Sequence, residues 1–262
     1  MSVFHSPEFV RLNALHVVEL EGAHLIAGPH AGTYGGYSDA ESLERMEVMA
    51  TMLPRACTVK LAPASHDLQL FSRSMNVLHR AGFMLEHVDL NYDVVPLNID
   101  FAERLSKGSR KKLAKCERAG FHSRTLERRE WRSAHKLIWS NRFRAGRELS
   151  LRLDQIEALE AALPGTYIFF GTFDGNKMIA AAICVMVEPD VLYIYAWADA
   201  EKNAYSPTTQ LCQTIYEEAC FRACRLLDAG ISTVQGVPDK GLIAYKESLG
   251  FVPSVKATMR RA

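Results

Sequence analysis

The spacing of apolar positions changes period several times along the chain, and each change marks an element. Residues 14–28, "ALHVVELEGAHLIAG", read as two short strands around a Glu21-Gly22 turn. "PHAGTYGGY" follows, with glycines at 32, 35 and 36, a density that disfavours helix and strand and predicts a loop. Ser38 and Asp39 then open a helix running to about Met52, with acids in the first turn to suit its dipole. "CTVKLAP" reads as a buried strand, "DLQLFSRSMNVLHRAGF" as a helix ended by Gly82, and "MLEHVDLNYDVVPL" as a longer strand. After a helical insert, "TYIFFGTFDGNKMIAAAICVMVEPDVLYIYAWAD" predicts three antiparallel strands with turns at Asp174-Gly175-Asn176 and Glu188-Pro189-Asp190. Residues 206–227 carry a helical stripe of Leu211, Cys212, Ile215, Tyr216, Ala219, Cys220, Ala223 and Leu226. A short strand within "RLLDAGISTVQ", a last helix in "GLIAYKESLGF" and a strand in "VPSVKATMRR" complete a mixed α+β pattern.

Two of these segments repeat one another. "SMNVLHRAGFMLEHVDLNY" and "LIAYKESLGFVPSVKATMR" both run helix, Gly-Phe, alternating strand, offset by 168 residues. At that offset Tyr245 stands opposite Val77. If packing were the only demand on this position, an apolar residue would serve in both copies. The tyrosine is therefore a candidate for chemistry as well as for the core.

Charge sharpens the picture. The net charge is +1, but residues 104–147 hold fifteen Lys or Arg against Glu117, Glu127 and Glu130, a segment at +12 that leaves −11 for the rest. Such asymmetry points either to an anionic partner or to solvated helix faces. Within it, Arg104, Lys107, Lys111, Lys115 and Arg118 follow at three- or four-residue steps, opposite Phe101, Leu105 and Leu113. The six cysteines form no C-x-x-C pair, and Cys212, Cys220 and Cys224 read as small buried hydrophobes of one helix face, reduced as in a cytoplasm. No apolar run nears the roughly 20 residues of a membrane span, and the N-terminus has no secretion-signal pattern, so the expected location is cytoplasmic. The nine histidines show no metal-binding spacing, and neither a nucleophile elbow nor a P-loop is present, so no metal is expected.

Meander, helix, strand and then "AYKESLGF" together resemble the C-terminal half of the GNAT acyltransferases, a family whose last helix commonly carries a tyrosine shortly before Gly-Phe. Two such units joined by "RLSKGSRKKLAKCERAGF" are similar to the Fem-type (FemAB-like) branch, with Arg110, Leu113, Lys115 and Gly120 matching its basic connector. The resemblance spans most of the chain and is densest over residues 100–255. It implies tandem GNAT-like units, with mostly antiparallel sheets flanked by helices. One lobe would cover residues 1–99 and the other 100–262, with a basic helical connector at about 100–147. Two features depart from the family. "EKNAYSPTTQLCQ" has no glycine where GNAT enzymes carry a pyrophosphate loop, and no heptad run builds a coiled-coil arm.

The resemblance assigns roles. Acyl-CoA is the implied co-substrate, and the acceptor is an amine on a small molecule or cell-envelope precursor. Tyr245 maps onto the general acid that protonates the leaving thiolate, and the backbone of Tyr195, Ala196, Trp197 and Ala198 maps onto the strand that polarises the acyl carbonyl. Ser206, Thr208 and Thr209 would hold the pyrophosphate at a helix N-terminus, or serve only as an ordinary Ser-Pro cap. Asp228, in "LLDAG", would bind or activate the amine, with Asp239 as an alternative. Lys246 would hold a phosphate or the acceptor's carboxylate, or simply reach out from its helix. In the first half, Tyr34, Gly35, Gly36 and Tyr37 form a flexible aromatic edge suited to an acceptor. Two other readings stay open: a Fem-like transferase that draws its aminoacyl group from tRNA docked on the basic segment, and a GNAT-like domain that binds a ligand without catalysis.

Overall fold

The computed structural model describes residues 2–28, 33–40, 42–94, 99–200 and 204–262. Gly32 of the glycine-rich loop, residues 95–97 of the long strand and residues 201–203 before the long helix therefore lie outside the described residues. The chain folds as two compact units: residues 1–92, 231–243 and 253–262 form the first, residues 93–230 and 244–252 the second.

The first unit begins with α1 (Pro7–Asn13), capped by Ser6. Three antiparallel strands follow in the order β1 (His16–Leu20), β2 (Ala23–Ala27) and β3 (Gly36–Ser38). β3 replaces part of the expected loop. Gly36 enters it at φ +83, where a Cβ would stand 2.9 Å from Leu61, so glycine is what lets the chain pair here. α2 (Leu43–Met52) starts later than the sequence suggested: Ser42 caps it, and Ser38 is buried in β3 instead. β4 (Cys57–Lys60), α3 (Leu68–Arg80) and β5 (Met84–Val94) continue the unit. Met46, Met49, Val59, Val77, Leu78 and Phe83 are central to its core.

The second unit opens with α4 (Phe101–Arg104) and α5 (Lys107–Arg118), which the sequence had joined as one basic helix. Leu105 is extended between them, and the Ser106 side chain caps α5 by accepting from the Ser109 N–H. β6 (His122–Thr125), α6 (Trp131–Arg144) and α7 (Leu153–Ala162) lead into the expected meander β7 (Tyr167–Asp174), β8 (Lys177–Glu188) and β9 (Val191–Asp199). Residues 179–185 of β8 are all buried, whichever face they point to, so both faces of the sheet are covered. That is why "IAAAICV" reads as a continuous apolar run rather than an alternation. α6 and α8 (Pro207–Phe221) supply the cover. α8 ends at Phe221, six residues before the expected end, so Cys224 is buried beyond the helix while Cys220 is exposed. β10 (Leu226–Ile231) then sets the strand order of this unit as β10-β9-β8-β7-β6.

The last segments return to the first unit. The hairpin β11 (Thr233–Val234) and β12 (Val237–Pro238) turns through Gln235 and Gly236, both at positive φ. α9 (Lys240–Ser248) bridges the boundary between the units, and β13 (Val252–Arg261) pairs antiparallel with β4. Among the described residues no helix is long and apolar enough to cross a membrane.

The two Gly-Phe stops have the same hydrogen bonds. Phe83 donates to the Leu78 carbonyl and Phe251 to that of Lys246, each five residues back, with Gly82 at φ +86 and Gly250 at φ +83 between. This 6→1 closure around a left-handed glycine caps both helices in one way.

Candidate active site

The site grows from a defect in the second unit's sheet. β10 runs parallel to β9 only through Leu226↔Val191, Leu227↔Leu192 and Asp228↔Tyr193. Among the described residues the backbone of β9 beyond Tyr193 has no ladder partner in β10. On its other edge the register slips: Ala196 faces Ile183 while Ile194 faces Cys184, which leaves Tyr195 as the extra residue of a bulge. Bulge and opening thus fall within three residues of each other. The Tyr195 hydroxyl is already engaged, bonded to Ser150 Oγ at 2.6 Å and accepting the Leu151 N–H at 2.8 Å. Whatever Tyr195 does at the opening is done by its backbone. Ala196 and Ala198 are buried, and the half-buried Trp197 ring meets Tyr245 edge to face at 5.8 Å.

Past β9, Ser206 takes a left-handed conformation (φ 59°) at the start of α8 and makes no side-chain cap, so it does not act as an ordinary Ser-Pro cap. Its Oγ lies 3.3 Å from Thr209 Oγ1, and Thr209 is fully buried. The Tyr245 hydroxyl, arriving from α9, donates to Thr208 Oγ1 at 2.9 Å. Burial pushes the Tyr245 phenol well above its usual range, with Cys212 adding to the shift and hydrogen bonds to Thr208 and Thr209 opposing it. It is protonated throughout the neutral range. Lys115 of α5 stands 4.1 Å above the Tyr205 ring, and Cys116 bonds the Tyr205 carbonyl, which fixes α5 beside the approach to α8. Arg104 is not part of that basic face: it sits on α4 with its guanidinium on the Tyr216 hydroxyl at 3.2 Å.

A second polar cluster centres on Gly230. Its N–H donates to Asp228 Oδ1 at 2.7 Å, and its carbonyl accepts from Lys246 Nζ at 2.7 Å. Asp228 and Lys246 are both about 1% exposed, so Lys246 does not reach out from its helix. Gly230 sits at φ +75, and a Cβ there would stand 3.2 Å from the Tyr193 ring. Asp228 is also close enough to Tyr193 to help burial raise the tyrosine's pKa. Tyr193 was missed from sequence, although "YIY" already put it on the same strand face as Tyr195. At the 168-residue offset Lys246 falls opposite Leu78, and both are buried. A lysine held dry where the other copy needs only leucine is costly to bury, and such groups concentrate at functional sites.

Tyr245, Thr208, Thr209, Ser206, Trp197, Asp228 and Lys246 all belong to the second unit, whereas Tyr34, Gly35, Gly36 and Tyr37 belong to the first. The four do not form a flexible edge. Tyr34 is buried against Phe4 and His66, and Tyr37 donates to the Met46 carbonyl at 2.7 Å. A Cβ on Gly35 would meet the Ile26 carbonyl at 2.4 Å, so this glycine permits close packing. Asp239 caps α9 by accepting the Leu242 N–H at 3.0 Å.

No protein-family model matches the chain, and no curated protein matches its sequence. Solved structures do match its fold. FemX superposes with a TM-score of 0.70 at 12% identity, covering 98% of this chain and 91% of FemX. L-PGS from Bacillus licheniformis gives 0.63 at 13%, over 95% and 85% of the two chains. A GCN5-related N-acetyltransferase from Kribbella flavida gives 0.50 at 11%, over 94% and 89%. With its antiparallel-dominated sheets, the opening beside β9 and the helix-Gly-Phe-strand ending, the chain has a GNAT-like fold of the FemAB type.

Proposed function

We propose that the protein is a transferase that moves an acyl group from a thioester, acyl-CoA, to an amine. The observation that carries this reading is the Tyr245 hydroxyl, held 2.9 Å from Thr208 at the start of α8 and beside the β9 bulge. The neutral amine attacks the thioester carbonyl carbon, and backbone N–H groups between Tyr195 and Ala198 take the developing oxyanion. As the tetrahedral intermediate collapses the C–S bond breaks. The amine loses one proton and the thiolate gains one, giving amide and free thiol. In this reading Tyr245 hydrogen-bonds the leaving sulfur and passes it a proton, water takes the amine's proton and restores the phenol, and Ser206 and Thr208 with the α8 N-terminus, backed by buried Thr209, receive the donor's phosphates in place of a glycine loop. Lys246 and Asp228 are buried and joined through Gly230, and on the same reading they act by holding the end of β10 that borders the acceptor side.

Calorimetric titration with coenzyme A and acetyl-CoA tests the donor, and release of free thiol in the presence of an amine panel tests turnover. Tyr245→Phe should bind coenzyme A within about twofold of wild type and turn over at least ~100-fold more slowly. If neither coenzyme form binds wild type, the acyl-CoA reading is lost.

One observation favours a second donor. Lys107, Arg110, Lys111, Lys112 and Arg118 are exposed on α5 and form no ion pair among the described residues. An aminoacyl-tRNA, the donor implied by the Fem-type resemblance, would bind such a face with affinity that falls steeply as salt rises.

A further inference from the structure

α6 buries one side and leaves the other bare. Trp131, Ala134 and Ile138 face inward, with Trp131 stacked on Phe169 at 4.3 Å. Arg132, Lys136, Trp139 and Phe143, at steps of four, three and four, form a single stripe on the opposite side, and all four are exposed. Trp139 is 48% and Phe143 67% exposed, and their rings stack on one another at 5.1 Å and 13°. Two large aromatic rings set in water on the outside of a helix call for a partner.

The charges say what kind. From Trp131 to Arg147 there are five Lys or Arg and no acid. Arg132 and Lys136 make no ion pair among the described residues, whereas nearby Arg124 and Arg129 are paired with Glu130 and Glu127. The partner is therefore anionic as well as apolar. The outward face of a single helix is convex, which suits a bilayer surface better than a nucleic-acid strand, since strands track a basic groove. The two rings turn one face each to one another, so they form a single apolar unit rather than separate platforms for successive bases. As a pair they can sink together to the boundary between headgroups and acyl chains, while Arg132 and Lys136 extend their stems to the lipid phosphates.

We propose that α6 docks the protein on an anionic lipid surface through Trp139 and Phe143, flanked by Arg132 and Lys136. This goes beyond the acyl-transfer reading and does not depend on which donor is used.

The test is sedimentation of the full chain with vesicles of phosphatidylcholine, with and without phosphatidylglycerol. Wild type should associate with the anionic vesicles only, and less so as salt is raised. Trp139→Ala with Phe143→Ala should lower the partition coefficient roughly tenfold or more. Arg132→Glu with Lys136→Glu should do the same. Bromine-labelled lipid should quench the tryptophan fluorescence of wild type, and Trp139→Phe should keep binding but lose that quenching. Circular dichroism of each variant confirms that it is folded. The proposal is overturned if wild type ignores anionic vesicles, or if both double variants bind as well as wild type. It is equally overturned if a single-stranded RNA oligonucleotide binds and the aromatic variant loses that binding while vesicles do not bind, since the stripe would then belong to nucleic acid.

Discussion

At the scale of single residues the peptide of Gly230 is the most constrained point of the site. Lys246 holds its carbonyl and Asp228 its N–H, while Tyr193 fills the space where a side chain would go. Gly230→Ala would force a Cβ into a left-handed backbone and to 3.2 Å from a buried ring. We expect a loss of about 1–3 kcal/mol in urea-induced unfolding, with weaker amine acceptance because both charged partners shift. An unfolding midpoint unchanged from wild type would mean that the cluster is not strained as described. Sequence singled out Tyr245 as a candidate through the repeat and a family resemblance, and Asp228 and Lys246 through the resemblance alone. What could not be read was that Lys246 is dry, since a helix-borne lysine usually extends to water and only tertiary packing decides otherwise. Tyr34 and Tyr37 failed for a related reason: glycines around an aromatic look like a mobile loop, yet at Gly35 and Gly36 they bring backbone close to Ile26 and Leu61.

At the scale of elements, periodicity placed most strands and helices, because the meander's turns and the left-handed glycines after α3 and α9 are strong local signals. It failed where a cap or a short pairing decided the outcome. Ser42 rather than Ser38 starts α2, and Ser106 splits α4 from α5. The β11–β12 hairpin shows how such small elements are held. Asp89, buried on β5, accepts the Thr233 hydroxyl at 2.5 Å and the Gly236 N–H at 3.0 Å, and its other oxygen lies 3.4 Å from His87 Nε2. Asp89→Ala leaves these donors without their acceptor. The expected cost is about 2–4 kcal/mol, with amide exchange at residues 233–237 becoming markedly faster than in wild type. Protection at those amides equal to wild type would show that the hairpin stands without its carboxylate.

At the scale of the whole molecule, the charge asymmetry was plain from sequence, but its division between the bare face of α5 and the aromatic stripe of α6 needed the fold. One contribution to stability against acid was not legible at all, because it comes from a histidine whose burial the sequence does not signal. His5 is 4% exposed, and its Nε2 lies 3.2 Å from the Gly36 carbonyl. A carbonyl only accepts, so Nε2 carries the hydrogen, and Nδ1 is left as a buried lone pair without a partner among the described residues. Protonation would place a charge there with nothing to receive its hydrogen. Burial therefore lowers the His5 pKa from 6.5 to about 4, with the Gly36 carbonyl opposing the shift, nearby His24 adding to it and Asp39 resisting it. The unfolded chain takes up this proton as pH falls below 6.5, and the folded chain does so only near 4. The stabilising contribution of neutral His5 is thus complete above the unfolded value and disappears across that window, on the order of 3 kcal/mol in all. Urea unfolding of wild type and His5→Phe from neutral pH down to the bottom of the window isolates it, since other acid-sensitive groups act on both proteins alike. The wild-type curve should fall more steeply, with the difference accumulating between pH 6.5 and about 4. Parallel curves would mean that His5 is protonated as easily in the fold as in water.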